Sequence, residues 1–293
     1  MYKVEVYPDD ERFLLGEGPL YDQELDELHW IDITGCAVFS RKPGQPTVRY
    51  DIGEKPGVVG MRTKGGYVVA SKNGFSLLEQ DGKLQRIVSP YGENHPILRM
   101  NDGAVDCKGR FWAGSMADVE EDHDADKHRG VLYRLDPDYS CHVMDEGIGI
   151  VNGVCWTPDN TLMYMADSVD KKIYVYDFEA ESGSISNKRL FLDTAIAYPA
   201  FNPDGGCVDA EGYLWWALWN GSKVIRIAPD ATILEEIDIP ALRPTAPCFC
   251  GKDLTSLFIT SSGFGEGGAQ EGGKNFIIRD VKVKGQPKYK FRG

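Results

Sequence analysis

Apolar and polar residues alternate along the chain in short runs, and glycine or proline separates most of these runs. Alternation predicts β-strands that bury one face, because successive side chains of a strand point to opposite sides of the sheet. The 33 glycines and 16 prolines fall mainly between the runs, where they favour turns. No segment has the i, i+3, i+4 spacing of a long amphipathic helix. The pattern therefore predicts an all-β protein.

One unit recurs six times: a polar turn, an apolar strand, a short break and a second alternating strand. The two clearest copies begin with an aspartate, Asp106 or Asp209, and reach a tryptophan six residues later. Each copy is anchored on one apolar residue, and the six anchors are Trp30, Val68, Trp112, Tyr164, Trp215 and Phe258. The mean interval between anchors is about 46 residues, which is typical of a four-stranded propeller blade. The repeat predicts a six-bladed β-propeller that occupies residues 1–293 as one domain.

The N-terminal strand is predicted to close the ring of blades. A propeller leaves no unpaired edge between its first and last blades, because exposed strand edges promote aggregation. The alternating residues 3–7 have no partner within the first unit. We expect them to complete the last blade, beside residues 280–284.

Composition and charge narrow the possible partners. The chain has 32 basic and 45 acidic residues, a net charge of −13, which disfavours binding to nucleic acids and to anionic membranes. No run approaches the roughly 18 to 20 apolar residues that span a bilayer, and residues 1–7 do not resemble a signal peptide. Seven scattered cysteines favour free thiols in a reducing compartment. The expected localisation is cytoplasmic, and the oligomeric state stays open.

A second regularity concerns polar residues that precede the anchors. Four of the six units have a carboxylate or carboxamide close to a glycine, 11 to 13 residues before the anchor: Glu17, Asn101, Asn152 and Asp204. Units two and six have Gly57 and Pro247 there instead. Such residue pairs often form ordinary turns. Their shared register favours a site, because equivalent positions around a propeller converge on its axis. Oxygen ligands of this kind suit Ca²⁺, Mg²⁺ or Mn²⁺.

Other chemistries find no support in the sequence. There is no Gly-x-Ser-x-Gly motif and no His-Glu-x-x-His motif, and the five histidines are scattered. The glycine-rich residues 263–268 neither follow a strand of a βαβ unit nor begin a helix, so we reject a dinucleotide loop. The acidic run from Glu120 to Asp126 could bind cations, but it is interpreted as a solvated lid loop.

Four motifs stand out beyond the repeat. They are Leu15-Gly16-Glu17-Gly18-Pro19, Arg99-Met100-Asn101-Asp102-Gly103 with Gly114-Ser115-Met116, Asn152-Gly153, and the segment from Asp204 to Gly212. With these motifs the chain resembles the regucalcin/gluconolactonase family, six-bladed propellers that hydrolyse sugar lactones. The resemblance extends from about Gly16 to Pro287.

The resemblance implies roles for particular residues. Glu17, Asn152 and Asp204 would ligate one divalent metal ion, with calcium, magnesium, manganese, zinc and iron all open. Arg99 and Asn101 would bind the substrate, and Asp204 would also act as general base. The family uses a further substrate-binding glutamate in the lid after Gly-Ser-Met. Direct counting places Val119 there, and Glu121, two residues later, is the candidate.

The expected function is the metal-dependent hydrolysis of an aldono-lactone to the corresponding aldonic acid. The metal would polarise the carbonyl while a water molecule loses its proton near Asp204. Three alternatives stay open: a non-catalytic calcium-binding regulatory propeller, a protein-interaction scaffold, and a hydrolase of other esters or phosphoesters. The four in-register polar residues favour the enzyme over the scaffold, which needs no acids on the axis.

Overall fold

The computed structural model describes residues 2–8, 11–118, 129–264 and 271–293. These residues form short antiparallel strands and one single-turn helix, α1 (Thr194–Ala197). The strands of the first half are β1 (Val4–Val6), β2 (Gly16–Asp22), β3 (Glu27–Asp32), β4 (Ala37–Arg41), β5 (Val48–Asp51), β6 (Pro56–Met61), β7 (Tyr67–Ser71), β8 (Gly74–Leu78), β9 (Leu84–Val88), β10 (Leu98–Val105), β11 (Phe111–Ala117), β12 (Gly130–Leu135) and β13 (Cys141–Ile148). Those of the second half are β14 (Val151–Trp156), β15 (Leu162–Asp167), β16 (Lys172–Glu179), β17 (Ser184–Asp193), β18 (Asn202–Val208), β19 (Leu214–Trp219), β20 (Lys223–Ile227), β21 (Ile233–Asp238), β22 (Pro244–Cys250), β23 (Ser256–Ser261) and β24 (Phe276–Ile278).

The strands pair into six four-stranded sheets, and each sheet is one blade. Five blades are meanders of consecutive strands: β2–β5, β6–β9, β10–β13, β14–β17 and β18–β21. The sixth has the order β22, β23, β24, β1. The first strand of each blade contacts the first strands of the neighbouring blades, so these six inner strands line a central channel. The predicted six-bladed propeller is confirmed.

The ring closes through β1, as expected, although its partner is not the predicted one. Val4 pairs with Ile278 and Val6 with Phe276, in antiparallel register. The predicted pairing with residues 280–284 is therefore wrong. Asp280 has a φ of +55°, a left-handed conformation that turns the chain out of the sheet. The alternating residues that follow Asp280 do not continue a strand, and Val281 packs into the core instead.

Residues 285–292, which we call the C-terminal strap, run beneath the channel at the end where the inner strands finish. The side-chain amide of Gln286 donates to the carbonyl oxygens of Trp156 and Val208, in blades four and five. The Phe291 amide donates to the carbonyl of Met61 in blade two. The strap thus connects several blades on the side of the channel opposite to the starts of the inner strands.

The repeated Asp-x-x-Gly-x-x-Trp pattern is explained by a buried turn. The carboxylate of Asp106 accepts a hydrogen bond from Trp112 Nε1 at 2.9 Å, and that of Asp209 accepts one from Trp215 Nε1 at 3.0 Å. The glycine between them has a φ of +78° or +89°, which a side chain would strain. The aspartates of this repeat therefore belong to the fold.

Three further expectations can be compared with the structure. All seven cysteines lie among the described residues, and each is a free thiol. No helix in the described part of the chain is long and apolar enough to cross a membrane. The six predicted anchors lie on the second strand of each blade and are buried.

Candidate functional site

All six inner strands have an irregularity in their pairing near their start. The register shifts lie between Glu17 and Leu20, Pro56 and Val58, Met100 and Gly103, Asn152 and Cys155, Pro203 and Gly206, and Pro244 and Pro247. A β-bulge bends its strand and redirects a side chain. The four polar residues that the sequence placed in register lie at or inside these bulges. The repeat therefore predicted an equivalent position in every blade.

In the sixth blade the equivalent residue is not Pro247. The bulge of β22 begins after Pro244, as that of β18 begins after Pro203, so Thr245 corresponds to Asp204. The Thr245 hydroxyl is fully buried and donates to the carbonyl of Gly16 at 2.6 Å. This contact joins the last blade to the first.

Glycine follows the polar residue in β14 because an aromatic ring occupies the space of a side chain. Gly153 has a φ of +64°, and a Cβ there would lie 2.0 Å from the Trp216 ring. The same ring leaves no room for a Cβ at Gly206. Trp216 Nε1 in turn donates to the backbone carbonyl of Asp204 at 2.8 Å. Trp216 thus supports the backbone on both sides of the site.

The five described candidates line one cavity of about 380 Å³ where the inner strands begin. They are Glu17, Arg99, Asn101, Asn152 and Asp204. The volume is within the range of small-molecule pockets. The sixth candidate, Glu121, lies outside the described residues, as does Val119.

A hydrogen-bonded line of side chains crosses the cavity floor. Arg99 Nη1 donates to Asn101 Oδ1 at 2.8 Å, and Asn101 Nδ2 donates to Asn152 Oδ1 at the same distance. Asn152 Nδ2 donates to Ser168 Oγ at 2.8 Å. These bonds fix the orientation of both carboxamides. A carboxamide oxygen has two lone pairs, so Asn152 Oδ1 retains one for a ligand.

Ser168 extends this line to the fifth blade, and the sequence reasoning missed it. Its hydroxyl donates to the carbonyl of Pro203 at 2.6 Å, next to Asp204. Its own carbonyl accepts from Asn202 Nδ2 at 2.7 Å. A serine directly after β15 carries no signal in a single sequence. Only the neighbouring strand reveals its position.

Glu17 and Asp204 are buried carboxylates with few hydrogen-bond donors. Glu17 accepts one bond, from the backbone N–H of Gly18, and no hydrogen bond between described residues reaches the Asp204 carboxylate. Burial raises the pKa of Glu17, and the nearby charge of Asp102 adds to the effect. Burial also raises the pKa of Asp204 well above its usual value, with further contributions from Glu17 and Asp102. Arg99 opposes both shifts and does not cancel them.

Asp102 lies below this pair, towards the strap. Its carboxylate accepts from the backbone N–H groups of Gly103 at 2.7 Å and Gly153 at 2.6 Å. Burial raises its pKa, and these two bonds and the Lys288 ammonium act in the opposite direction. Asp102 and Lys288 line one small cavity beneath the site. In the sequence Asp102 belongs to a motif, but the motif does not indicate a role for it.

Asp118 is part of the cavity wall, whereas the predicted lid loop from Glu120 to Asp126 lies outside the described residues. Asp118 contacts Arg99 Nε at 3.3 Å, Lys55 Nζ at 3.0 Å and Lys72 Nζ at 3.6 Å. Burial favours a higher pKa for Asp118, but these three cations outweigh it and lower the pKa. Its position two residues after Met116, the end of a quoted motif, was the available signal.

The residues present fit a divalent cation. Two buried carboxylates with raised pKa values are stabilised in their ionised form by a positive charge between them. The described residues contain no group of three or more histidines, cysteines, aspartates or glutamates that could hold a metal ion. A site with Glu17 and Asp204 would therefore draw further oxygen ligands from other groups of the cavity, and Asn152 is the one that the family resemblance implies. Carboxylate and carboxamide oxygens are ligands that hard cations prefer.

Comparisons with known proteins agree with this fold. Residues 15–263 match the family model described as the SMP-30/Gluconolactonase/LRE-like region. Regucalcin from Xenopus laevis is 34% identical over 258 residues, 86% of this chain and 84% of that protein. A 6-deoxy-6-sulfogluconolactonase from Pseudomonas putida is 34% identical over 252 residues, 85% of this chain and 84% of that protein. A solved luciferin-regenerating enzyme has a TM-score of 0.92 at 26% identity, with 100% of both chains covered.

Proposed function

Because the chain belongs to the SMP-30/gluconolactonase/LRE-like family, we propose that it hydrolyses a sugar lactone to the corresponding aldonic acid in a metal-dependent reaction. The observation that carries this proposal is the pair Glu17 and Asp204, two buried carboxylates with raised pKa values at the floor of a cavity. The fold has no evident use for such a pair, since buried charges normally have partners. A relative named as a sugar lactonase supports a lactone as substrate.

Glu17, Asn152 and Asp204 would hold one divalent cation, and the choice among calcium, magnesium, manganese, zinc and iron belongs to experiment. When bound, the cation acts as a Lewis acid towards the lactone carbonyl and stabilises the negative charge that develops on its oxygen. Asn101 orients the Asn152 carboxamide, and Ser168 holds its amide nitrogen. These two contacts keep the Asn152 oxygen at a fixed position in the cavity.

Asp204 would be the general base. No described residue donates to its carboxylate, so an oxygen atom remains available to accept a proton from the attacking water. The water oxygen forms a bond to the carbonyl carbon, the bond to the ring oxygen breaks, and Asp204 returns the proton to that oxygen. The product is the ring-opened hydroxy acid, and no covalent intermediate is required.

Arg99 and Asn101 would bind the substrate. Arg99 Nη1 donates to Asn101 and to a backbone carbonyl, and Nε donates to Asp118. In contrast, Nη2 makes no hydrogen bond to a described residue. Nη2 can therefore donate to a hydroxyl of the sugar. Glu121, the remaining candidate, stays a prediction from the family motif.

A second candidate function is a non-catalytic, calcium-binding regulatory propeller. The observation in its favour is the similarity to regucalcin, which equals the similarity to the lactonase in sequence identity. The same three ligands would serve this function without substrate turnover.

The deciding experiment is a lactone panel run on metal-stripped protein. Neutral pentono- and hexono-lactones are offered with calcium, magnesium, manganese, zinc or iron restored separately. We expect ring opening with at least one metal and none after chelation. Calcium binding without hydrolysis of any lactone under any metal would contradict the proposal and favour the regulatory alternative.

A further inference from the structure

We propose that the substrate is a sugar lactone with an anionic group far from its carbonyl, and that Lys55, supported by Lys72, binds this group. The inference rests on the proposed function and names a substrate class within it. It starts from the positive wall of the cavity, which the roles assigned above leave largely unused.

Three cations share a single carboxylate on this wall. Lys55, Lys72 and Arg99 each contact Asp118, at 3.0, 3.6 and 3.3 Å. Within the described residues, none of the three forms an ion pair with any other carboxylate. One negative charge thus faces three positive charges. Counted over the residues that the structure describes, these groups have a surplus of about two positive charges, in a chain whose net charge is −13.

The nearest further carboxylate does not remove this surplus. Glu54 precedes Lys55 in the sequence, but its Oε1 is held by Arg86 at 2.5 Å and by the Ser71 hydroxyl at 2.8 Å. Its Oε2 accepts from the Asn73 carboxamide. Glu54 is therefore compensated by Arg86, and Lys55 has no second anionic partner in the described part of the chain.

Lys55 lies at the outer end of a continuous line of polar contacts. The line runs from Asn152 through Asn101 and Arg99 to Asp118 and ends at Lys55. Exposure grows in the same direction, from 8% for the Arg99 side chain to 17% for Asp118 and 33% for Lys55. Since Asn152 belongs to the proposed reaction centre, a group that reaches Lys55 must lie at the distal end of the substrate.

A surplus of positive charge in a concave site attracts anions and raises their local concentration. Ammonium groups also form short, charge-assisted hydrogen bonds with carboxylate, sulfonate and phosphate oxygens. All three groups share the chemistry that Lys55 would recognise. The expected substrate class is thus an aldono-lactone with one of them at its terminal carbon.

The test compares kcat/KM for a neutral hexono-lactone with that for the same ring bearing a terminal carboxylate, sulfonate or phosphate. At least one anionic lactone should be preferred, and the preference should fall as salt is added. Lys55→Gln should lower the anionic-to-neutral ratio by about 10- to 100-fold. Asp118→Asn should raise the ratio, because it removes the carboxylate that contacts all three cations. Lys252→Gln, an exposed lysine elsewhere, is the matched control.

Preference for the neutral lactone over all three anionic ones would overturn the inference, as would an unchanged ratio in Lys55→Gln. If no lactone is opened at all, the proposed function fails, and calorimetric binding decides this inference separately. The ring-opened acid with a terminal sulfonate, carboxylate or phosphate should bind the wild-type protein more tightly than Lys55→Gln. Equal binding to both proteins would overturn it.

Discussion

Carboxylates are buried in two regions of the molecule, the turns of blades three and five and the mouth of the channel. The two regions differ in the number of hydrogen-bond donors that they offer to these carboxylates. Asp106 accepts from the Trp112 ring, the Arg110 guanidinium and two backbone N–H groups. Asp209 also has four donors, namely the Trp215 ring, two backbone N–H groups and Arg226, which here comes from the neighbouring strand β20. Both side chains are fully buried and fully partnered.

At the channel mouth the described residues supply few partners. Among them, Glu17 accepts a single backbone hydrogen bond and Asp204 accepts none. Burial without donors raises the pKa of each. The difference shows how a structural carboxylate can be told from a functional one: the first has its counterparts within the fold, and the second needs a cation or a proton.

The largest expected effect concerns catalysis by Asp204. Asp204→Asn keeps the shape and one oxygen donor but removes the charge and the basicity. At saturating metal we expect kcat to fall by about 10²- to 10⁴-fold, which is the usual contribution of a general base. Asp230→Asn, on an exposed turn, is the matched control. A variant with near wild-type lactone hydrolysis would show that Asp204 is not the base.

Removal of a partnered carboxylate should affect the fold instead. Asp209→Ala leaves the Trp215 N–H and the Arg226 guanidinium without their buried acceptor. We expect a loss of about 3–5 kcal/mol in the free energy of unfolding, measured by urea denaturation. Metal affinity per folded molecule should not change. A weakened metal affinity with intact stability would contradict the assignment of Asp209 to the fold.

Ser168 combines features of the two regions, because its hydroxyl has hydrogen-bond partners within the fold and also contacts a proposed metal ligand. Ser168→Ala removes the acceptor of the Asn152 amide. Partners of metal ligands typically contribute 10- to 100-fold in metal affinity, and we expect a loss within that range by calorimetry. Ser262→Ala, a buried serine with its hydroxyl bonded to the carbonyl of Leu14, is the control. Equal effects of both substitutions on metal affinity would remove the special role of Ser168.

A smaller effect should appear in the pH dependence of the metal-free protein. The folded pKa values of Glu17 and Asp204 are raised above their unfolded values, so the folded state binds protons more tightly. Stability should therefore increase as the pH falls from 8 towards the unfolded pKa values, by on the order of 1 kcal/mol. Differential scanning calorimetry with and without metal measures this. The increase in stability with falling pH should be smaller in the double variant Glu17→Gln/Asp204→Asn. An increase as large as that of the wild type would show that other groups cause it.

The repeat made much of this architecture predictable. Six anchors at a period of about 46 residues predicted the blades, and the shared register of Glu17, Asn101, Asn152 and Asp204 predicted a common site. Local alternation could not predict which strand pairs with β1, because residues 280–284 alternate as a strand does. A left-handed Asp280 diverts them, and this depends on tertiary packing.

Sequence reasoning also missed residues that act through contacts between blades. Ser168 and Lys55 enter the site from positions without a motif, and the sequence indicated no role for Asp118. Their importance depends on neighbouring blades, which a local pattern does not encode. Two statements stay predictions: that residues 1–293 form one domain, and that Glu121 binds the substrate.

Asp204 is proposed to bind a cation and not to stabilise the fold. The melting temperature of the metal-free protein at pH 8 tests this most directly. Asp204→Asn removes a buried charge without donors, so the account predicts that the variant melts above the wild type and gains less from added metal. Asp209→Asn, measured in parallel, should melt below the wild type. An Asp204→Asn variant that melts below the metal-free wild type, as Asp209→Asn does, would contradict the account.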